Sequence, residues 1–355
     1  MKRFLLAAGV DYEFKGVDFR KFCNNRMKRL IRANHKKDDL TFQIFDFRKG
    51  EIVTHTLTYV GGKQIETVAT QAPFKPITKA NYDNDHQFKD GQKGVMSILD
   101  IYKAIQQIGK TTPKTLVELS FFSHAWMGGP ILVNSFDDGI MNLIVPAATS
   151  PSRFRLPSGA RDPDDLDPRA DKDFIAPTMN ADALLDFQAA FHDDGFIWIW
   201  GCAFPRVVHE ILHKLEHHPS YRNSGLREEE VFKFTNLNSE QASLLETFIG
   251  AELGQPLSGK KKIEIRFDFL KYFFCKVTVA SYTHHIAKNA KVKAFGGVMG
   301  TYSEYDSGPL PLLSVYKGFT RHFTFYKNYL GFDYDLEGRK YGEYRPEFTC
   351  TAPSP

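Results

Sequence analysis

Two stretches decide the fold: TLVELSFFSHAWMGGP over residues 115–130 and GFIWIWGCAFPRVVHEIL over residues 195–212. Each opens as an apolar run rich in β-branched and aromatic residues and closes on small or turn-forming ones. That is the pattern of a strand buried on both faces. The first run delivers Ser123 and His124 before Gly128, Gly129 and Pro130 turn the chain. The second delivers Gly201 and Cys202 just before helical spacing begins, at about residues 206–217. Three more runs, 4–10, 41–47 and 291–300, read as strands of the same kind.

Helical periodicity fills the intervals. Residues 19–33 are basic and amphipathic, with Phe22, Met27, Leu30 and Ile31 as the apolar positions. Residues 95–108 place Ile98, Ile101, Tyr102, Ile105 and Ile108 on one side and meet Gly109, read as a C-cap. Residues 181–191 follow Asn180, a capping residue, and further helices are expected at about 240–252 and, as one long element, 269–288. Strands alternating with helices predict an α/β fold, a mostly parallel central sheet with helices on both faces. Residues 49–93 predict a hairpin excursion from the 1–305 domain. Residues 149–179, crowded with Pro, Asp and Arg, predict a mobile surface insertion. Residues 306–355 read as an aromatic-rich extension packed on that domain, with a loose end at 346–355.

Composition bounds the function. The 355 residues are 42% hydrophobic and 14% aromatic, with 31 Phe and 15 Tyr, enough for a large core. A net charge of +4 gives no indication of a nucleic-acid or membrane-surface partner. The apolar stretch after Met1-Lys2-Arg3 is short and lacks a cleavage site, so it reads as a first core strand rather than a leader. No run approaches the roughly 20 apolar residues of a membrane span. Cys23, Cys202, Cys275 and Cys350 have no CxxC spacing, which predicts free thiols in a reducing compartment. A cytoplasmic setting follows, with export by a specialised route left open.

The chemistry gathers where the two deciding strands end. Ligands of open parallel sheets bind at the C-terminal strand ends, and consecutive strands of βαβ type are usually neighbours. His124 and Cys202 are therefore expected to face each other there. A nearby imidazole or helix N-terminus lowers a thiol's pKa, and the helix after Cys202 supplies the second. The backbone N–H of Cys202, with that of Ala125 or Trp126, can form an oxyanion hole, and Gly201 clears side-chain bulk from the approach. Asp137 and Asp138 are candidates to orient His124, although Asp-Asp-Gly is also an ordinary turn.

An apolar strand ending in Ser-His before a Gly-containing turn, followed by one ending in Gly-Cys, resembles the caspase-like cysteine peptidases of clan CD. That group includes caspases, metacaspases, gingipains, separase and the CHAT domains. The resemblance covers about residues 1–305, with its core at 115–206. It implies a caspase-like sandwich with His124 as general base and acid, Cys202 as nucleophile, a protein or peptide substrate and no cofactor. The chain departs from the family at Ala125, where Gly usually follows the His, and in a His-to-Cys separation longer than is typical of caspases.

Other patterns are weaker. His209, His213 and His217 repeat every four residues but lack an HExxH motif or a carboxylate partner, so no metal site is assigned. His284-His285 reads as structural. Gly296-Gly297 is followed by no GxGxxG loop, and neither a P-loop nor GxSxG occurs. The resulting expectation is a cysteine-dependent endopeptidase. A cysteine amidase or acyl-transfer effector, or a catalytically inactive binding scaffold, remain the alternatives.

Overall fold

The computed structural model describes residues 1–143, 152–157, 159–254, 256–257, 259–260 and 262–354. The strands in chain order are β1 (Lys2–Ala8), β2 (Leu40–Asp46), β3 (Glu51–Val60), β4 (Lys63–Gln71), β5 (Leu116–Phe122), β6 (His124–Trp126), β7 (Gly129–Ile131), β8 (Ile140–Leu143), β9 (Ser152–Arg155), β10 (Phe191–Trp200), β11 (Val231–Phe234), β12 (Ile263–Arg266), β13 (Lys293–Gly296), β14 (Ser303–Tyr305), β15 (Leu313–Val315) and β16 (Gly342–Tyr344). The helices are α1 (Phe19–Ala33), α2 (Ile98–Thr111), α3 (Ala181–Ala190), α4 (Arg206–Glu216), α5 (Ser239–Leu253), α6 (Phe267–Val279), α7 (Tyr282–Ala290) and α8 (Thr320–Leu330).

The five apolar runs become the centre of one eight-stranded sheet in the order β16-β13-β10-β5-β1-β2-β3-β4. The pairs β13–β10, β10–β5, β5–β1 and β1–β2 are parallel, whereas β16, β3 and β4 add antiparallel strands at the edges. The expected α/β class is thus the observed one. Parallel neighbours require crossovers, and right-handed crossovers place α1 on one face with α2, α3 and α7 on the other. The buried strands β1 and β5 are apolar on both sides because helices cover both faces.

One charged residue breaks that apolar pattern. Glu118, in the middle of β5, is fully buried. Arg26 of α1 grips it through Nε and Nη2, each 2.8 Å from a carboxylate oxygen. The Arg26 guanidinium also lies over the rings of Trp198 and Trp200, 5.3 and 5.4 Å from their centroids. Ser120 donates to Glu118 and accepts from Trp200 Nε1 at 3.0 Å. Arg26 further binds Glu337 at 2.6 Å, and Arg339, which pairs with Glu337 and Asp306, covers the same Trp200 ring.

Four expectations are corrected. Gly109 does not end its helix, since α2 continues to Thr111. A Cβ there would lie 1.8 Å from the Asp186 carbonyl oxygen, so the glycine lets α2 and α3 touch. The single long helix is α6 and α7, divided where the Ser281 side chain caps the second. The insertion at 149–179 is not a solvated loop over residues 161–173. Arg161, Asp162, Asp165, Asp167 and Asp173 are all buried. Arg161 pairs with Asp173, Arg169 with Asp165, and Asp167 accepts the backbone N–H groups of Leu132, Val133 and Ser135 at 2.6–2.9 Å. A run of opposite charges and acceptors that satisfy one another can be buried, whereas an unmatched run cannot. Residues 149–151 and 158 of that insertion lie outside the described residues.

The fourth correction concerns the thiols. Cys275 of α6 and Cys350 form a disulfide, leaving Cys23 and Cys202 free. The argument from free thiols to a reducing compartment loses its footing. The C-terminal end is tied down as well: Phe348 packs on Phe332 and its carbonyl meets His284 Nε2 at 3.1 Å. No helix among the described residues is long and apolar enough to cross a membrane.

Because Glu118 has no access to water, removing its partner strands a buried charge. Arg26→Met is expected to lower unfolding free energy by about 3–5 kcal/mol in urea denaturation, and adding Glu118→Leu to recover most of that loss. Equal losses in the single and double variants would contradict this account of the pair.

Candidate active site

The site is assembled by strand register. Ala8 of β1, Phe122 of β5 and Trp200 of β10 lie side by side across three adjacent strands. Each strand then ends, and the next residues leave the C-terminal edge of the sheet together. β1 delivers Asp11, β5 delivers His124 two residues past the aligned row, and β10 delivers Cys202, also two residues past it. The His124 and Cys202 turns touch closely. A Cβ on Gly201 would sit 2.4 Å from Ala125 Cβ and 3.0 Å from the Ser123 carbonyl, so any side chain at 201 would drive the two strand ends apart.

His124 opens a short hairpin, β6–β7, in which it pairs with Ile131, Ala125 with Pro130 and Trp126 with Gly129. The imidazole is held edge-on by Tyr12 and Phe19, with ring centroids 4.9 and 5.3 Å away. Its Nε2 lies 3.3 Å from Asp11 Oδ1. Asp11 Oδ2 accepts the N–H groups of Gly16 and Val17 at 2.8 and 2.9 Å, which fixes the carboxylate. With Nε2–H donating to that carboxylate, Nδ1 would be the ring nitrogen left for proton exchange. The hairpin is anchored from behind: Tyr282 N–H donates to the Met127 carbonyl, and the Tyr282 hydroxyl meets that of Tyr102, which donates to the Asp173 carboxylate.

Cys202 sits half-buried at the end of β10. The Ser303 N–H points at its Sγ, 3.4 Å away, while Ser303 Oγ donates to the Gly201 carbonyl at 2.6 Å and meets the Tyr341 hydroxyl at 3.1 Å. Burial pushes the thiol above its ordinary value, and the Ser303 hydrogen bond pulls the other way. The expectation that a helix N-terminus lowers this thiol is therefore corrected. Helix α4 starts at Arg206 behind Pro205, four residues along, and desolvation wins.

Asp137 and Asp138 are engaged elsewhere. Asp137 binds Lys172 at 2.6 Å with Arg169 alongside, and Asp138 hydrogen-bonds Asp162, whose carboxyl burial raises to about 7. The carboxylate at His124 is Asp11, which sequence reasoning missed. It lies 113 residues before the histidine, and the only signal was its place just past the first apolar run. Ala125 is buried against Gly201, whereas Trp126 is 52% exposed.

The histidine row is split between two tasks. His209 Nδ1 lies 2.9 Å from His322 Nε2, and His322 Nδ1 lies 2.9 Å from the buried Glu216 carboxylate. His213 and His217 stack on each other with centroids 4.0 Å apart. Among the described residues, no group of three or more His, Cys, Asp or Glu side chains is placed to hold a metal ion.

No family model and no curated protein matches the chain. Among solved structures, it is similar to a secreted C11 cysteine protease from Bacteroides thetaiotaomicron, captured with an irreversible peptide inhibitor. The identity is 14% and the TM-score 0.25, over 60% of this chain; the match spans 46% of that protein's length.

Desolvation of Cys202 has a direct readout. Alkylation by iodoacetamide is expected to be slower near neutral pH than for an unperturbed thiol, and to keep climbing past the ordinary thiol value of 9.0. A plateau reached well below that value, followed by mass spectrometry of the labelled peptide, would show a resting thiolate instead.

Proposed function

We propose that this chain is a cysteine-dependent hydrolase of caspase-like type, acting as an endopeptidase on a protein or peptide substrate without a cofactor. One observation carries the reading. A histidine with a fixed carboxylate partner and a cysteine leave adjacent parallel strands at the same level, on the sheet edge where ligands of this architecture bind.

In this mechanism His124 takes the Cys202 proton through Nδ1 as the sulfur attacks the scissile carbonyl carbon. The carbon–sulfur bond forms as the carbonyl π electrons move to oxygen, where the N–H groups of Cys202 and Ala125 or Trp126 stabilise the negative charge. Collapse expels the amine, which receives the proton from His124. Water, deprotonated by His124, then hydrolyses the thioester and returns the thiol. Asp11 acts as a positioning residue: it fixes the ring's tautomer and orientation and stabilises the imidazolium. Gly201 keeps the approach free of side-chain bulk. The same residues would serve a cysteine amidase, and substrate length separates the two readings.

The test is to incubate the protein with a mixed peptide library and an acyloxymethyl-ketone probe, alongside Cys202→Ala and His124→Ala. Cleavage and labelling should vanish in Cys202→Ala, and turnover should fall about 10²- to 10⁴-fold in His124→Ala. Cleavage that survives in Cys202→Ala would overturn the mechanism. Asp11→Asn keeps an acceptor for the Gly16 and Val17 amides but removes the charge. It should lower kcat by about 10-fold or more with little change in KM, and Asp11→Glu should recover part of the loss. A matching loss of thermal stability, with no recovery of kcat in Asp11→Glu, would make Asp11 merely structural.

A further inference from the structure

The two segments that leave Cys202 both run into one aromatic cavity. Phe204 follows Cys202 by two residues, and Tyr302 immediately precedes Ser303, whose N–H reaches the Cys202 sulfur. Backbone hydrogen bonds between Ala203 and Thr301 clamp the two segments together. Beyond that clamp lies a cavity of about 630 Å³, walled by Phe204, Tyr302, Tyr316 and Phe319, with His209 and His213 on its α4 side. The size falls within the roughly 300–1,000 Å³ of small-ligand pockets and exceeds any one side chain.

The walls are built and held. Tyr302 and Tyr316 stack with centroids 5.2 Å apart and planes within 7°, although each is 39% exposed. Phe319 meets both edge-on, at 4.9 and 5.7 Å, and Phe204 meets Tyr302 edge-on at 5.8 Å. The Glu216–His322–His209 chain of hydrogen bonds fixes the imidazole wall. The charged groups of the lining are Glu216, already bound to His322, and Arg321, which donates to the Glu216 carbonyl. No unpaired carboxylate among the described lining residues waits for a basic side chain, and the Arg321 cation disfavours one. Burial pushes His209 down to about 4 and also lowers His213, so these two imidazoles are neutral near pH 7, and the Arg321 cation of the lining is already engaged at the Glu216 carbonyl.

We infer that this cavity receives an aromatic side chain of the peptide substrate, at a position flanking the scissile bond. The inference rests on the peptidase reading, because a substrate held at Cys202 is what would bring a side chain to the walls formed by Phe204 and Tyr302, close in sequence to the Cys202–Ser303 contact. Aromatic rings favour the edge-to-face contacts that these walls already make with one another, and the His213 imidazole can accept a ring hydroxyl or indole N–H.

The experiment compares cleavage of a peptide library by the wild type, Tyr302→Ala and Phe204→Ala, with mass spectrometry reading residues on both sides of each cut. One flanking position should prefer Phe, Tyr or Trp over Ala by about 10- to 100-fold in kcat/KM, the range that burying one such side chain supplies. Both variants should flatten that preference while Cys202 is still labelled by the ketone probe. Efficient cleavage with no aromatic preference, or with a preference that Tyr302→Ala leaves intact, overturns the inference and leaves the peptidase reading standing. Should the wild type cut nothing, N-acetyl-tryptophanamide binding, followed by NMR in Cys202→Ala, decides the cavity separately. Binding lost on adding Tyr302→Ala supports an aromatic site, and absence of binding overturns it.

Discussion

The Arg26–Glu118 pair sets much of what surrounds it. A carboxylate in the middle of a central strand has to be matched there, because desolvating an isolated charge costs far more than a typical domain's net stability allows. Arg26 supplies the match from α1, and its guanidinium is in turn sheltered by the faces of Trp198 and Trp200. Helix α1, strand β5 and strand β10 are thereby fixed relative to one another by one charge. Glu337 and Arg339 extend the network into the C-terminal region, where Asp335 takes the Tyr341 N–H and Tyr341 reaches Ser303. Ser303 is the residue that holds the Cys202 sulfur. A contiguous set of polar contacts thus runs from the buried centre of the sheet to the candidate nucleophile.

This route explains why the C-terminal region belongs to the site although it contributes no reacting atom. β16 pairs with β13 at the sheet edge, and the Cys275–Cys350 bond fastens the chain end to α6. The 161–173 segment plays the matching part on the histidine side. Asp167 gathers the amides that follow β7, while Asp173 meets the hydroxyl of Tyr102, which adjoins Tyr282 behind the hairpin. His124 and Cys202 are each held by polar groups that come from distant sequence. Such a cradle fixes geometry more narrowly than apolar packing alone, because hydrogen bonds are directional.

The apolar runs made the central sheet legible, since a strand covered on both faces must be apolar throughout. The same runs located His124 and Cys202, because chemistry in parallel sheets collects where such runs stop. What stayed hidden was pairing. The Asp- and Arg-rich stretch has the composition of a solvated loop, and only the partners reveal that Arg161 neutralises Asp173 and Arg169 neutralises Asp165. Asp11 and the Cys275–Cys350 bond were hidden for the same reason: each joins residues far apart in sequence, with no local pattern linking them. The break between α6 and α7 was readable in principle. Ser281 is a good capping residue, but the apolar periodicity on either side outweighed it.

Burial of Cys202 also bears on how a peptidase of this form would work. A thiol raised by desolvation rests protonated, with His124 and its carboxylate partner leaving the neighbouring strand ends. Each pH unit of upward shift costs about 1.4 kcal/mol in forming the thiolate, a cost that must be offset as the sulfur attacks. In the proposed mechanism the offset would come from charges formed only in that step, one on His124 facing Asp11 and one on an oxyanion facing backbone N–H groups. Interactions that strengthen only in the transition state raise turnover without tightening substrate binding. A desolvated thiol is thus compatible with catalysis, and it keeps the sulfur less open to chance alkylation or oxidation until a substrate completes the site.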